Sequence, residues 1–591
     1  MSSLFYLNKY LVRYKWRLIL GAVFIVCSNI FFVQQPGLIR DAINEIEDFI
    51  TNVDPEATSN IIKQGLWLSG LYTLLSILKG IFLFFTRQTI IIMSRYIEYD
   101  LKNEIYDQYQ RLTFNFYKKN ATGDLMNRIS EDVTKVRMYL GPGIMYTINL
   151  FVLFSLVLYK MLSRNPELTL YVLTPLPLMS LLIYFVSRVI NKKSEKVQAQ
   201  QSLLSTIVQE TFSGIRVVKS HVKEETVSAK FEEEAEQYKK NSMSLAITNA
   251  FFMPTIILLI GISTVLTIYM GGLQANDGII DPGEIAEFVV YVNMLTWPFA
   301  SIGWVTSIVQ RAAASQKRIN EFLEVEPDID PNQDAEQKIH FNDEIRLKNI
   351  SLTYKNSGVT AVRDVNFTIK KGETIGIMGK TGSGKSSLAY LVMRLLDPTS
   401  GHITVDGKQL NELHLDSWRQ YLGYVPQEHF LFSDSIMNNI LFGTKEEVSL
   451  ERVVEVAKNA GIHESIMNFP DQYETRLGER GINLSGGQKQ RLSIARALIK
   501  QPDILVLDDC LSAVDNETEE LILQSIKSEL KSKTTFIISH RISSLKYADR
   551  IIVMDDGMLV EQGNHDELMA LNGIYFDTYK RQELQTEQHK P

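Results

Sequence analysis

Six apolar segments in the first half of the 591-residue sequence constrain its fold more than any other feature. They lie at about residues 16–38, 65–86, 140–162, 167–188, 246–271 and 284–308. Each reaches or nearly reaches the roughly 20 residues that an α-helix needs to cross a bilayer. The second half has the composition of a soluble domain, and an acidic, proline-containing stretch, Glu324 to Asp334, separates the two halves. The sequence therefore predicts six transmembrane helices over 1–320, a linker over 321–341 and a second domain over 342–591.

The charge of the loops between these segments predicts the orientation of the chain. The segment from Arg87 to Arg137 is rich in lysine and arginine, and the segment over 188–245 begins with a basic run. The loops over 41–56 and 274–284 are acidic. Because basic loops stay on the cytoplasmic side, we expect a multi-pass protein of the cytoplasmic membrane with both termini and the second domain in the cytoplasm. The net charge of −7 predicts no nucleic-acid partner.

Two groups of residues in the apolar segments are candidates for contact with a substrate. A charge within a spanning helix, such as Lys79, is costly unless it faces a wet cavity or a partner. Lys79 could contact anionic substrate groups, and it could equally snorkel or form a structural pair. Aromatic residues could line an apolar chamber or face lipid and neighbouring helices: Phe251, Phe252, Tyr291, Trp297 and Phe299.

The second domain opens with two alternating runs, typical of antiparallel strands, followed by a phosphate-binding loop. Gly379, four further residues, Gly384, Lys385 and Ser386 match the P-loop pattern, between an apolar strand and a helical stretch. The glycines let backbone N–H groups surround a phosphate, Lys385 reaches the β- and γ-phosphates, and Ser386 can ligate magnesium. The predicted nucleotide cradle is Gly379, Lys380, Thr381, Gly382, Ser383, Gly384, Lys385, Ser386 and Ser387.

A buried strand, Ile504 to Cys510, ends in the acids Asp508 and Asp509. Since parallel strands deliver ligand-binding residues to their carboxyl ends, we expect Asp508 near the magnesium shell and Asp509 facing the attacking water. A second anion-binding helix start, Ser485, Gly486, Gly487 and Gln488, follows in the same domain. One nucleotide does not need two such cradles from one chain, so a head-to-tail dimer is predicted, in which each ATP contacts both subunits.

These motifs, together with Gln427, Ser512 to Asp515, and His540, resemble a nucleotide-binding domain of the ATP-binding-cassette (ABC) family in order and spacing over about 340–580. The resemblance implies an α/β P-loop domain with an antiparallel β subdomain, and ATP and Mg²⁺ as ligands. It further implies that Tyr354 stacks on adenine, that Asp515 communicates across the dimer, and that His540 holds the γ-phosphate. The implied catalytic residues are Asp509, His540 and Gln427, and the implied magnesium residues are Ser386, Gln427 and Asp508.

The membrane half resembles the six-helix domain of ABC exporters. The segments Phe116 to Val133 and Gln209 to Glu225 resemble the family's two cytoplasmic coupling segments, and Leu477 to Gly481 resembles an exporter-specific loop. The resemblance implies a half-transporter that works as a dimer and moves a small lipophilic or amphipathic molecule, drug or lipid, out of the cytoplasm or inner leaflet.

Asp509 departs from the family pattern, because family members usually have glutamate there. Aspartate is one methylene shorter, so its carboxylate would lie roughly 1.5 Å further back. The departure resembles one subunit of heterodimeric bacterial multidrug exporters, with slow hydrolysis at this site. Two alternatives stay open: a homodimeric lipid or drug exporter in which Asp509 is an adequate base, and a regulatory or channel-like membrane protein gated by nucleotide.

Overall fold

The computed structural model describes residues 2–51, 55–329, 339, 341–355, 357–510 and 533–588; a few side chains within these ranges are left out. The chain divides into two compact units. The first comprises Met1–Arg111 and Ala121–Val325, and the second comprises Leu112–Asn120 and Glu326–Pro591. A short segment from the N-terminal half, 112–120, therefore belongs to the second unit.

The described residues of the first unit form helices joined by short turns and include no strand. A 3₁₀ turn, Ser2–Leu7, precedes helices α1 (Asn8–Arg13), α2 (Lys15–Thr51), α3 (Pro55–Thr86) and α4 (Ile92–Arg111), with α5 (Phe114–Lys119) in the other unit. Then follow α6 (Thr122–Asn127), α7 (Val133–Met138), α8 (Ile144–Arg164), α9 (Pro166–Leu173), α10 (Pro175–Ser213), α11 (Ile215–Ser220), α12 (Glu224–Asn276) and α13 (Pro282–Leu323). Single π-turns at Arg87–Ile91, Arg128–Asp132 and Tyr139–Gly143 join successive helices without a break.

Five helices in the described residues are long and apolar enough to cross a membrane: Lys15–Ile50, Ile61–Arg111, Thr122–Arg164, Glu224–Asn276 and Pro282–Leu323. The remaining predicted span, 167–188, falls on α9 and the start of α10, where several side chains lie outside the description. Helix α12 has 53 residues, which at about 1.5 Å per residue exceeds the ~30 Å hydrocarbon core. Helix α12 is therefore long enough to extend well beyond a membrane.

Buried polar contacts tie the ends of this bundle together. Arg40 on α2 forms an ion pair of 3.1 Å with Glu287 on α13, whose side chain is 2% exposed. At the other end, Asp132 accepts hydrogen bonds from Ser315 (2.8 Å) and Arg318 of α13. An apolar cluster of residues from α2, α8, α9 and α13 includes Phe288 and Tyr291, and the Tyr291 hydroxyl donates a hydrogen bond to Glu287 of the first pair.

The candidate substrate residues of the membrane unit have different environments. The Lys79 Nζ atom lies 3.2 Å from the centroid of the Phe32 ring, which supports the structural pairing that the sequence left open beside substrate contact. Tyr291 is 1% exposed within the bundle, whereas Phe251 and Trp297 are 69% and 64% exposed on its surface. Phe252 packs partly buried against Ile256 and Leu259. The side chain of Phe299 lies outside the described residues.

The second unit contains two sheets in its described residues. Strands β1 (Glu344–Thr353), β2 (Thr360–Lys370), β4 (Ser400–Val405) and β5 (Lys408–Gln409) form an antiparallel sheet in the order β2-β1-β4-β5. Strands β3 (Thr374–Gly379), β6 (Leu422–Val425), β7 (Ile504–Asp508), β8 (Thr534–Ile538), β9 (Arg550–Asp555) and β10 (Met558–Gly563) form the other, in the order β10-β9-β3-β8-β7-β6.

Helices α14 (Lys385–Val392), α15 (Leu415–Gln420), α16 (Ile436–Leu441), α17 (Leu450–Asn459), α18 (His463–Met467), α19 (Gly486–Leu498), α20 (Ile542–Leu545), α21 (His565–Ala570) and α22 (Ile574–Gln588) complete the described part of this unit. All five residues of β7 and of β8 are buried, as expected for central parallel strands. Strands β3, β7 and β8 are parallel, and Ile538 of β8 lies beside Ile377 of β3 and Asp508 of β7. The residues that follow these three strands therefore meet at one edge of the sheet.

Candidate nucleotide site

The loop between β3 and α14 has the backbone geometry of a phosphate cradle. Gly382 and Gly384 have φ angles of +84° and +96°, a left-handed conformation that strains other residues. A Cβ atom on Gly384 would lie 2.0 Å from the carbonyl oxygen of Ala361. Only glycine therefore fits there, directly before the unpaired N–H groups at the start of α14.

Two polar side chains inside this loop are poised for an anion. Lys385 is 6% exposed, and its Nζ atom donates to the carbonyl oxygens of Gly379 and Lys380, both at 2.8 Å. Burial lowers the pKa of Lys385, with Asp509 and Asp508 opposing this effect. The buried Oγ atom of Ser383 has no hydrogen-bond partner. A phosphate oxygen would supply acceptors to both side chains.

Asp508 places a buried carboxylate beside the P-loop hydroxyl. It is 2% exposed at the end of β7, and its Oδ1 atom accepts a hydrogen bond of 3.0 Å from the Oγ atom of Ser386. Burial raises the pKa of Asp508, although Ser386 and Lys385 work against that rise. The two adjacent oxygens are ligands of the kind that Mg²⁺ prefers.

Asp509 leaves the strand edge in an unusual conformation. Its backbone N–H donates to the carbonyl oxygen of Ile538 at 2.8 Å, and its φ angle is +45°. Aspartate tolerates this left-handed region better than most residues. The Nε2 atom of Gln427 lies 3.4 Å from the Asp509 Oδ2 atom. The predicted catalytic carboxylate and the predicted glutamine therefore face each other.

His540 follows β8 and closes the site. Its ring interacts with the backbone of Gly379, and burial lowers its pKa, with the Lys385 cation acting in the same direction. The neutral imidazole is therefore favoured near pH 7. The P-loop, Asp508, Asp509, Gln427 and His540 therefore lie close together within the second unit.

The predicted second anion-binding site, at Ser485 to Gln488, is formed by a capped helix start that is exposed to solvent. Ser485 Oγ accepts from the Gln488 backbone N–H at 3.3 Å, and Gln488 Oε1 accepts from the Ser485 N–H at 2.9 Å. This capping box opens helix α19. Ser485 and Gly486 are exposed, so the start of α19 is free to contact another molecule. Asp515 and the rest of its motif lie outside the described residues.

Tyr354, the predicted adenine platform, lies in an aromatic cluster. Its hydroxyl is 2.9 Å from the Ser387 Oγ atom. The Lys118 Nζ atom of α5 lies 5.3 Å from the Tyr354 ring centroid and 5.2 Å from that of Tyr390, and Phe114 meets Tyr390 edge-on at 5.3 Å. Nothing in the local sequence singles out Lys118 or Tyr390, because most of the membrane domain separates them in the chain.

The geometry defines the class of protein: a P-loop nucleotide-hydrolysing domain on the same chain as a multi-pass helical membrane unit. Residues 18–299 match the family model for the ABC transporter transmembrane region, and residues 362–512 match the family model for the ABC transporter. The chain belongs to the ABC transporter family.

Similar proteins agree with this assignment over nearly the whole chain. The probable multidrug resistance ABC transporter ATP-binding/permease protein YheI of Bacillus subtilis (strain 168) is 35% identical over 97% of this chain and 96% of its own. The multidrug resistance-like ATP-binding protein MdlA of Escherichia coli (strain K12) is 34% identical over 97% and 95%. The ATP-dependent lipid A-core flippase of Syntrophus aciditrophicus (strain SB) is 32% identical over 89% and 86%.

A solved structure, that of a bacterial Atm1-family ABC exporter with ATP bound, covers 96% of this chain and 99% of its own with a TM-score of 0.80 and 22% identity. This likeness shows the fold. The predicted fold class, a helical membrane domain followed by an ABC cassette, is confirmed. So is the prediction of an ATPase coupled to transport across a membrane.

Proposed function

We propose that this chain is one subunit of an asymmetric dimeric exporter, in which the ATP site built on its own P-loop turns over slowly. The observation that carries this proposal is Asp509, a shortened acid in an otherwise complete P-loop site. Its partner would be a second half-transporter with glutamate at the equivalent position.

Each residue of this site would have a separate role in ATP hydrolysis. Lys385 would bind the terminal phosphates, and His540 would hold the γ-phosphate through its N–H. Asp509 would accept the proton of the attacking water, which Gln427 helps to orient. Ser386 and Asp508, with Gln427 nearby, would hold Mg²⁺, which neutralises phosphate charge when bound. Stacking on Tyr354 would position the adenine.

Slow turnover follows from the reach of the Asp509 side chain. A carboxylate one methylene shorter lies roughly 1.5 Å back from the position that glutamate would reach. Positioned proton transfer typically contributes about 10²–10⁴ in rate, so a retracted base loses much of it. Binding should persist, because Lys385, Ser386 and the glycines of the P-loop are all present and Asp509 keeps its negative charge beside Lys385.

The exposed start of α19 supports a head-to-tail dimer. Ser485 and Gly486 are exposed, and unpaired N–H groups at a helix start attract anions. In the proposed dimer this helix completes the partner's competent ATP site, while the partner's equivalent helix completes the site of Asp509.

Two cytoplasmic segments would couple ATP binding to the membrane helices. Helix α5, Phe114–Lys119, packs on the aromatic cluster of the second unit through Lys118 and Phe114. Around α11, Val217 and Val222 are 62% and 81% exposed, an apolar surface that the partner subunit would cover. Closing of the two cassettes would then rock the helices from an inward-open to an outward-open arrangement.

The proposed substrate is a lipophilic or amphipathic compound, drug or lipid, moved out of the cytoplasm or inner leaflet. The names of the relatives, which mention multidrug resistance and lipid A-core, support this class. The basic loops support a cytoplasmic position for both termini.

The proposal is tested by ATPase measurements on the purified chain in lipid nanodiscs, alone and with a glutamate-bearing half-transporter. We expect Asp509→Glu to raise the rate of the chain alone by at least about tenfold, and the partner to raise wild-type turnover. Asp566→Glu, a change of the same size at an exposed position of α21, is the control.

Turnover of the chain alone at roughly 1–10 s⁻¹, unaltered by Asp509→Glu, would instead establish a homodimer with two equivalent sites. ATP-dependent uptake of a lipophilic dye into inverted vesicles against its gradient tests transport itself. A channel gated by nucleotide would only dissipate that gradient.

A further inference from the structure

The last helix of the chain contacts the loop that carries His540. The Nε2 atom of Gln582 on α22 donates a 2.7 Å hydrogen bond to the carbonyl oxygen of His540. Its Oε1 atom accepts a 3.0 Å hydrogen bond from the backbone N–H of Ile542. One amide group therefore holds the backbone on both sides of Arg541.

Helix α22 is itself anchored at its start. The Glu561 carboxylate on β10 accepts hydrogen bonds from the backbone N–H groups of Ile574 and Tyr575, at 2.5 and 3.1 Å. Tyr575 is fully buried, and its hydroxyl lies 2.7 Å from the Nδ1 atom of His565. These contacts fix the helix on the sheet, so that Gln582, two turns later, reaches the His540 loop in one register.

The direction of the His540 ring depends on this backbone. Ser539 N–H donates to the Ile377 carbonyl oxygen at 3.2 Å, which holds the start of the loop to β3. The Arg541 N–H donates to the Ser539 Oγ atom at 2.9 Å. His540 lies between these contacts and those of Gln582, so its main chain is restrained from both directions. The ring interacts with the backbone of Gly379 in the phosphate-binding loop, so the position of the His540 main chain sets how the ring meets that loop.

We propose that Gln582 is a positioning residue for ATP hydrolysis, which holds the backbone of His540 so that the ring points at the terminal phosphate of ATP. The C-terminal helix is then part of the ATP site, although Gln582 itself contacts no nucleotide. This role rests on the function proposed for His540 in ATP hydrolysis and is independent of the asymmetry proposed for Asp509.

The test is single-turnover hydrolysis of ATP by the full-length chain in nanodiscs, with the rate constant and the half-saturating ATP concentration measured separately. Gln582→Met, of similar size but without hydrogen bonds, should lower the rate constant roughly 10- to 100-fold, since a displacement of about 1 Å can cost ~10²-fold. The half-saturating concentration should change less than about twofold, because the P-loop is untouched. Gln582→Glu keeps an acceptor for Ile542 and should show an intermediate loss.

A double substitution separates positioning from general destabilisation. If Gln582 acts through His540, then Gln582→Met should have no further effect in a His540→Ala background. Glu583→Gln, on the exposed neighbouring position of the same helix, should leave the rate unchanged. An additional loss in the His540→Ala background, an equal loss from Glu583→Gln, or a wild-type rate in Gln582→Met would each overturn the proposal.

The same series of variants is measured in two backgrounds, the wild-type chain with Asp509 and the Asp509→Glu variant. The fold-change caused by Gln582→Met should be the same in both, whereas asymmetry is judged from the ratio of the two unsubstituted rates. If the wild-type site is too slow to follow, the Asp509→Glu series decides. Absence of hydrolysis in both series would overturn the positioning role as well.

Discussion

The buried ion pair between Arg40 and Glu287 should stabilise the bundle, and its two halves should not be equivalent. Arg40 donates to Glu287 at 3.1 Å and to Asp41 at 2.6 Å. The Glu287 side chain is 2% exposed, whereas that of Asp41 is 44% exposed. Besides Arg40, Glu287 accepts a 2.7 Å hydrogen bond from the Tyr291 hydroxyl. When Glu287 is lost, Arg40 therefore keeps the charged partner Asp41. When Arg40 is lost, Glu287 keeps only the neutral hydroxyl of Tyr291.

This difference sets the expected magnitudes. Arg40→Met leaves a buried carboxylate without a cation, which costs about 3–5 kcal/mol. Glu287→Gln removes one charge-assisted hydrogen bond, which costs about 1.5–3 kcal/mol. In the double variant no carboxylate is stranded, so its cost should lie below the sum of the single costs by at least about 1 kcal/mol.

Thermal unfolding of the purified protein at one fixed scan rate ranks the stability of four forms: the wild type, Arg40→Met, Glu287→Gln and the double variant. The exposed pair Lys317 and Glu321, also on α13, is 3.7 Å apart with side chains 71% and 59% exposed. The matched cycle of Lys317→Met and Glu321→Gln should show coupling below about 0.5 kcal/mol. Additive effects at Arg40 and Glu287, or a larger loss from Glu287→Gln than from Arg40→Met, would refute the reasoning.

Three further outcomes are expected. Lys385→Ala should weaken ATP binding at this chain's site roughly 10- to 100-fold, because a charged hydrogen bond contributes ~1.5–3 kcal/mol. Most of the ATP turnover of a heterodimer should remain. An equal loss of turnover from the matching substitution in the partner would argue for symmetric sites. Lys118→Met should destabilise the chain by about 0.5–1 kcal/mol in thermal unfolding. The loss should be smaller in a Tyr390→Leu background, and an equal loss in both backgrounds would contradict a cation–π contact with Tyr390. Gly283→Ala places a Cβ atom 2.1 Å from an oxygen of α2 and should cost about 1–3 kcal/mol in the same assay, whereas Gly65→Ala, with nothing within 4 Å, should cost nothing.

Much of the fold could be predicted because its signals are local. A spanning helix is recognised from one apolar run, since every backbone group is satisfied within the segment. The P-loop is likewise read from consecutive residues, because its glycines, Lys385 and Ser386 act through a single turn of chain. The position of Asp508 followed from the rule that parallel strands deliver such residues to one edge of their sheet, whereas the places of Gln427 and His540 were implied by the family resemblance.

Local patterns in the sequence were therefore sufficient to predict five of the membrane-spanning helices, the cassette and the phosphate-binding motif. Tertiary structure alone decided that Arg40 pairs with Glu287, that Lys118 lies on Tyr390, and that Gln582 holds the loop of His540. Each of these contacts joins residues far apart in the chain, and each depends on a side-chain direction that no local pattern encodes. Their energies arise from burial and hydrogen-bond geometry, which exist only once the helices and strands have packed.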